Sequence, residues 1–186
     1  VGSEMCIRDR DKWGIDPIPD EPLTRVPITF GVINVWVYGM NTWGSLFNSR
    51  QQLALITFAD AVKQAHQLIL KEGYDEDYAK AIATYLALGV DRLADYNSML
   101  TRWVCNGEFI GNTFTRQALP MIWDYLELNP ASEATGDFNS ALNWITRVIQ
   151  NNSISSINYA ITTQSSATNL LYPDNYFDAI ITDPPY

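Results

Sequence analysis

Cysteine and histidine are nearly absent. The cysteines are Cys6 and Cys105, and the single histidine is His66. With Cys6 in a segment set aside below, too few ligands remain within this chain for a zinc site, and Cys105 has no partner for a disulfide. Cys105 reads as a small, mostly apolar packing residue and His66 as a polar residue on a helix flank. A lone cysteine is compatible with a reducing cytoplasm, the expected location. Basic residues are also scarce: 12 Lys and Arg stand against 21 Asp and Glu, for a net charge of −9. Phosphate contacts need Lys and Arg in excess, so this stretch is not expected to be a main nucleic-acid-gripping surface. No apolar run is long enough to span a bilayer and nothing resembles a signal peptide, so no membrane partner is expected.

The first ten residues, Val1 to Arg10, resemble translated adapter read-through at the ends of reading frames assembled from environmental sequencing. They are set aside as an artefact of that kind. Arg8, Arg10, Glu4 and Asp9 leave with them, so the balance of −9 is unchanged. What remains could support one good core or two modest ones. Residues 11–30 carry Pro17, Pro19, Pro22 and Pro27 among acidic residues, which predicts an extended connector.

Residues 31–150 read as mainly α-helical. Ile33, Val35 and Val37 alternate first, predicting a short strand that ends near Gly39. From Ser49 the period changes: Leu53, Ile56, Val62, Ile69 and Leu70 recur at helical spacing, with Gly73 as the stop. A second helix starts near Asp75 or Asp77, where acidic residues suit the N-terminus, and is expected to run to about Trp103. Its stretch Ala81 to Leu88 is apolar nearly all round, which predicts burial among other helices. Asp91, Arg92 and Asp95 interrupt it and read as an internal ion pair or polar edge more readily than as catalytic groups. Gly107 and Gly111 punctuate a loop. Thr115–Leu128 is expected to be a helix containing Pro120, ended by Asn129-Pro130, and Asp137–Gln150 a further amphipathic helix using Phe138, Leu142, Ile145, Val148 and Ile149.

Residues 151–186 change character again. Ser156–Thr162 alternates like a strand, and Phe177 to Thr182 has the continuous apolar character of a strand buried on both faces of a parallel sheet. It delivers Asp183-Pro184-Pro185-Tyr186. Ligands in open α/β sheets bind at the carboxyl ends of strands, where Asp183 would emerge. A plain alternative is a strand followed by a Pro-Pro turn, with Asp183 capping it and Tyr186 packing on a surface.

That ending resembles the catalytic motif of amino-group DNA methyltransferases, which move a methyl group from S-adenosylmethionine to an exocyclic base nitrogen. The resemblance implies roles that the chemistry explains. Adenine's amino nitrogen is a poor nucleophile while its lone pair is delocalised into the ring. Asp183 can accept one amino N–H and the Pro184 carbonyl the other, aiming the lone pair at the sulfonium methyl. Pro184 and Pro185 stiffen the loop, and Tyr186 stacks on a base taken out of the duplex.

Three further blocks carry a more specific likeness. They are Tyr38-Gly39-Met40-Asn41-Thr42-Trp43-Gly44-Ser45-Leu46-Phe47 with Arg50-Gln51; Tyr85 to Leu88 through Asp91-Arg92-Leu93-Ala94-Asp95-Tyr96-Asn97-Ser98; and Asn112 to Met121 through Trp123-Asp124. Together with the ending they resemble the large adenine-specific DNA methylases that carry an N-terminal domain of unknown function and often a zinc ribbon. The likeness covers roughly residues 20–186. It implies an α/β fold: a mostly helical insertion followed by part of the parallel sheet of a Rossmann-like (class I) S-adenosylmethionine-dependent methyltransferase.

In that family the glycine-rich cofactor loop lies before these blocks. Gly39 with Gly44, and Gly107 with Gly111, lack its spacing and strand-to-helix context. The chain is therefore expected to be a fragment that binds S-adenosylmethionine weakly and is inactive alone. Methyltransferases of this class often place an acidic residue near the cofactor's adenine; here Ser166 stands at that position and lacks the charge assistance of a carboxylate. Arg116 could reach a phosphate or stack on a base, and Gln117 could hydrogen-bond an adenine edge, although both could equally cap neighbouring backbone. Trp36, Trp43, Trp103, Trp123 and Trp144 could include stacking platforms, but large aromatics on helical repeats are more often core. The function expected from the resemblance is methylation of adenine in DNA, with DNA and the methyl donor as partners and no metal. Cytosine-N4 or RNA methylation, or a helical interaction module, are the alternatives.

Overall fold

The computed structural model describes Gly14 and residues 16–25, 34–115, 118–153, 161–166 and 168–182. Three helices dominate them: α1 (Ser49–Lys71), α2 (Glu76–Tyr96) and α3 (Phe138–Ser153). A two-stranded antiparallel hairpin, β1 (Arg102–Val104) and β2 (Phe109–Gly111), lies between α2 and α3 in the chain.

Local chemistry sets the helix ends. Asn48 accepts from the backbone N–H groups of Arg50 and Gln51, while the Gln51 side chain accepts from Asn48 N, a reciprocal cap that fixes the start of α1. Gly73, at φ +91°, stops it as expected from the sequence. Asp75 caps α2 by accepting from Tyr78 N at 2.8 Å, and Glu76 and Asp77 occupy its first turn. His66 on α1 faces Glu76 at 3.7 Å, the helix-flank position expected for it.

Several elements differ from the sequence expectation. Val35–Tyr38 is a 3-10 turn, not a strand; Val35 is fully buried and Gly39 leaves the turn at φ +92°. Helix α2 stops at Tyr96, short of Trp103, where Ser98 offers the backbone a local alternative: Ser98 Oγ accepts from Leu100 N at 3.0 Å. The apolar stretch of α2 is not enclosed, since Tyr85 and Leu88 are exposed and burial falls on Ala79, Gly89 and Leu93. No helix forms over the described part of Thr115–Leu128. Pro120 removes a donor there, and the backbone bonds outward instead: Leu126 with the Thr101 hydroxyl, Met121 N to Asn34 Oδ1, and Asn34 N to Leu119 O. Cys105 is exposed in the hairpin turn rather than packed.

The main apolar cluster is Leu23, Val35, Leu46, Leu100 and Leu119, with Met40, Phe47, Met121 and Ile122 packed around it. It is built from turns and connections, not helix faces. The entry segment is tied to it by Leu23 N to Asn41 O and Gly44 N to Pro19 O, both 2.9 Å. Helix α3 closes over α1 and α2 through Phe138, which lies 4.7 Å from the Phe58 ring and against Gly89.

Residues 161–166 and 168–182 contain no strand. Tyr172, Tyr176 and Phe177 cluster, with ring centroids 4.7–5.2 Å apart, while Ile180 and Ile181 are 68% and 96% exposed. The buried strand predicted over Phe177–Thr182 is therefore not formed here. A strand apolar on both faces needs flanking strands and covering helices, and no described residue supplies them. Of the strand expected over Ser156–Thr162, residues 156–160 lie outside the described residues, and 161–162 are irregular.

Candidate functional site

The residues singled out from the terminal motif, Asp183, Pro184, Pro185 and Tyr186, lie outside the described residues, as do Arg116 and Gln117. Ser166 is described and exposed. Its hydroxyl lies 2.9 Å from Thr168 Oγ1 and accepts from Thr168 N, while Asn169 N donates to Ser166 O. Those bonds turn the chain locally.

The three internal blocks, far apart in sequence, are brought into contact. Asp95, at the end of α2, grips the third block with its carboxylate: Oδ1 accepts from Phe114 N at 2.7 Å and Oδ2 from Asn112 Nδ2 at 2.9 Å. Its backbone carbonyl accepts from Thr113 N at 2.8 Å. Below it, the buried hydroxyls of Ser98 and Thr113 lie 2.7 Å apart. The first block joins both. Met99 N donates to Leu46 O, Trp43 lies 6.4 Å from Phe114, and Tyr38 meets Trp123 edge-on at 5.0 Å. Asp95 is thus a polar anchor for the third block, rather than a member of the ion pair that the sequence reading offered as one alternative. Arg92 is not its ion partner; the guanidinium lies over Tyr96 at 5.3 Å and Trp144 at 6.0 Å.

Arg50 also leaves its own block, pairing with Glu127 in a two-point contact, Nε to Oε2 at 3.0 Å and Nη2 to Oε1 at 2.6 Å. Asn48 Nδ2 donates to the same Oε1. The hydrogen bond from Arg50 holds the Glu127 carboxyl below the usual carboxylate range; partial burial opposes that, and the Asn48 bond and the Arg50 charge add to it. The same bond keeps the Arg50 guanidinium firmly protonated.

The five tryptophans among the described residues are not core. Trp36 is half-buried, with Arg25 over its ring at 5.7 Å, and Trp43, Trp103, Trp123 and Trp144 are all exposed, Trp123 at 71%. They sit on turns, the hairpin and an outer helix face, where packing closes on one side only. Two concavities open on the described surface, the first beside Trp144. A groove of about 570 Å³ between α2 and α3 is lined by Tyr85, Leu88, Arg92, Trp144, Ile145 and Val148. A second, about 360 Å³, lies where Ile18 and Pro19 approach Leu55, Ile56 and Asp91.

Sequence reading missed the anchoring of the 112–114 turn by Asp95. Its signal was the run of turn-forming residues after β2, which needs an external acceptor. Among the described residues no helix is long and apolar enough to cross a membrane. Comparison with protein-family models, with curated proteins and with solved structures returns no match.

Proposed function

We propose that this chain belongs to an S-adenosylmethionine-dependent methyltransferase acting on the exocyclic amino group of adenine in DNA. In this reading Asp183 and the Pro184 carbonyl hold the amino group, Pro185 stiffens the loop and Tyr186 stacks on the extruded base. The mostly helical part is an insertion in a Rossmann-like fold. Ser166 stands toward the cofactor, and Arg116 and Gln117 toward DNA. A cytoplasmic setting in host modification or defence accords with the reading by resemblance only.

The observation that carries it is the order of four sequence blocks, of which the three upstream ones lie together. The apolar run into Asp183-Pro184-Pro185-Tyr186 has the chemistry the reaction needs, and the three upstream blocks form one bonded cluster around Asp95 and Leu46. Blocks scattered by chance would have no reason to meet.

The test is methyl transfer by this chain together with whatever coding sequence adjoins it. Labelled S-adenosylmethionine should place its methyl on adenine N6 of duplex DNA, and Asp183→Ala should abolish transfer. Retained turnover in that variant rejects the role of Asp183. Label on cytosine N4, or on RNA alone, moves the reading to those substrates.

A second reading, a helical interaction module, is favoured by the open apolar groove between α2 and α3. It predicts no glycine-rich strand-loop-helix in adjoining sequence and partner capture lost in Trp144→Ala.

A further inference from the structure

Among the described residues, Arg92 is the one charged side chain lining the groove between α2 and α3, and no carboxylate pairs with it. In a chain with 21 acids and 12 bases that is a departure. The acids nearest it on α2 are turned elsewhere: Asp95 holds the 112–114 turn and Asp91 lines the second concavity. The guanidinium lies over the Tyr96 and Trp144 rings, while Nε is buried and has no acceptor. The cation is thus held in place without being neutralised, a costly state for a partly desolvated charge and a standing place for an anion.

The walls around it are long and apolar. Tyr85, Leu88 and Arg92 of α2 face Trp144, Val148 and Ile149 of α3, and Trp144 is 56% exposed, Val148 53% and Leu88 48%. From Ala141 to Asn152 the groove follows three turns of α3, about 16 Å. Its lining recurs every three or four residues along that helix, the spacing with which one helix receives the apolar ridge of another. Tyrosine, tryptophan and arginine are also the side chains that most often carry binding energy between proteins. A second copy of this chain laid groove to groove brings no carboxylate and adds a second unpaired guanidinium. With a net charge of −9, a strongly acidic partner would be repelled, so the fit is to one carboxylate on an otherwise apolar or basic helix.

We propose that the α2–α3 groove receives an amphipathic helix of another protein, seated by its apolar ridge and oriented by one carboxylate that pairs with Arg92. Trp144 and Leu88 supply the apolar contact, and Arg92 selects the acid. Because Arg92 lies beside Trp144, nearer the start of α3 than Asn152, the acid stands toward one end of the partner's ridge. The proposal rests on the interaction-module reading and deepens it; it is independent of the chemistry assigned to Asp183.

The test uses the full chain and a fluorescein-labelled, stapled alanine-based helix with leucines along one ridge and one glutamate, a turn before them in one version and a turn after them in another. Matched peptides carry glutamine or lysine at that position, and binding is read by fluorescence anisotropy. In one version the glutamate peptide should bind about tenfold tighter than its glutamine match, the scale of one charge-assisted hydrogen bond. In Arg92→Gln that preference should vanish while the glutamine peptide keeps its affinity. In Arg92→Glu the lysine peptide should become the tightest, a reversal that general loosening does not produce. Trp144→Ala, an exposed change, should weaken all of them, and thermal melting monitors the fold in each variant. Equal affinity for glutamate and glutamine peptides, a preference that survives Arg92→Gln, or no binding overturns the proposal. So does self-association that Trp144→Ala abolishes, which assigns the groove to a second copy, and so does binding that strengthens in Ile181→Asp, which assigns it to this chain's own apolar run. The two ideas fail separately: peptides bound through Trp144 without regard to charge remove the role of Arg92 alone, whereas binding that Trp144→Ala leaves untouched removes the groove and the interaction reading with it.

Discussion

Glu127 shows how a single side chain comes to depend on residues far from it in the sequence. Its carboxyl takes two hydrogen bonds from Arg50 and one from Asn48, the cap of α1, so the start of that helix is fastened to the irregular segment after Pro120. A carboxyl held below its ordinary range in the folded chain contributes stability above its unfolded value. That contribution is lost as pH falls through the folded value. The effect is therefore complete at neutral pH and disappears on acidification. Because the pair is largely exposed, its weight is small and salt-sensitive. In Arg50→Gln the Glu127 midpoint should rise toward the ordinary range, read by NMR titration of the side-chain carboxyl carbon; an unmoved midpoint would show that Arg50 is not its main cause. None of this was legible beforehand. The sequence placed the start of the helix at Ser49 but identified neither its cap nor the carboxylate that folds over it.

Helices with a clear period formed where the sequence placed them, α3 at Phe138–Ser153 included, whereas the strand expected through Val35 and Val37, the helix over Thr115–Leu128 and the strand over Phe177–Thr182 did not form over their described residues. Helix α1 was read from the change of period at Ser49 and the stop at Gly73, and it runs Ser49–Lys71. Helix α2 ran long in the sequence reading because Leu100 and Trp103 continue past Ser98, whereas the backbone turns where the Ser98 hydroxyl accepts from Leu100 N. The expected helix over 115–128 lost to Pro120 and to acceptors on Asn34 and Thr101, partners invisible to any local window. The entry segment offers a test at this scale. A Cβ on Gly44 would stand 2.6 Å from both Ile18 Cγ2 and the Pro19 carbonyl oxygen, and the backbone oxygen cannot simply rotate away. Gly44→Ala should cost about 1–3 kcal/mol and loosen residues 16–25, lowering the melting temperature and speeding tryptic cleavage at Arg25. Unchanged cleavage would mean that the entry strand adapts without leaving.

Across the whole molecule, the residues with the clearest chemistry and the residues with the clearest structure are different ones. The proposed reaction was read from Asp183 to Tyr186, which lie outside the described residues, while the bonded cluster around Asp95 came only from the fold. Sequence supplied the chemistry because a carboxylate, two prolines and an aromatic ring are adjacent in the chain. It could not supply the cluster, whose members come from three separate blocks. The sequence shows no glycine spacing of the cofactor-loop kind in residues 11–186, and this carries a prediction: calorimetric titration of this chain with S-adenosylmethionine should show weak binding or none. Tight binding would mean that the cofactor is held by groups other than such a loop.

The apolar cluster has a bearing on the order of folding. Its members run from Leu23 to Leu119, whereas α1 and α2 are neighbours joined through residues 72–75. Local pairing closes small loops and long-range pairing must close large ones first. The helical hairpin should therefore gain amide protection in pulse-labelling before Leu46 and Leu100 do, and the Asp95-held turn should lock last, once the chain beyond β2 has returned to α2.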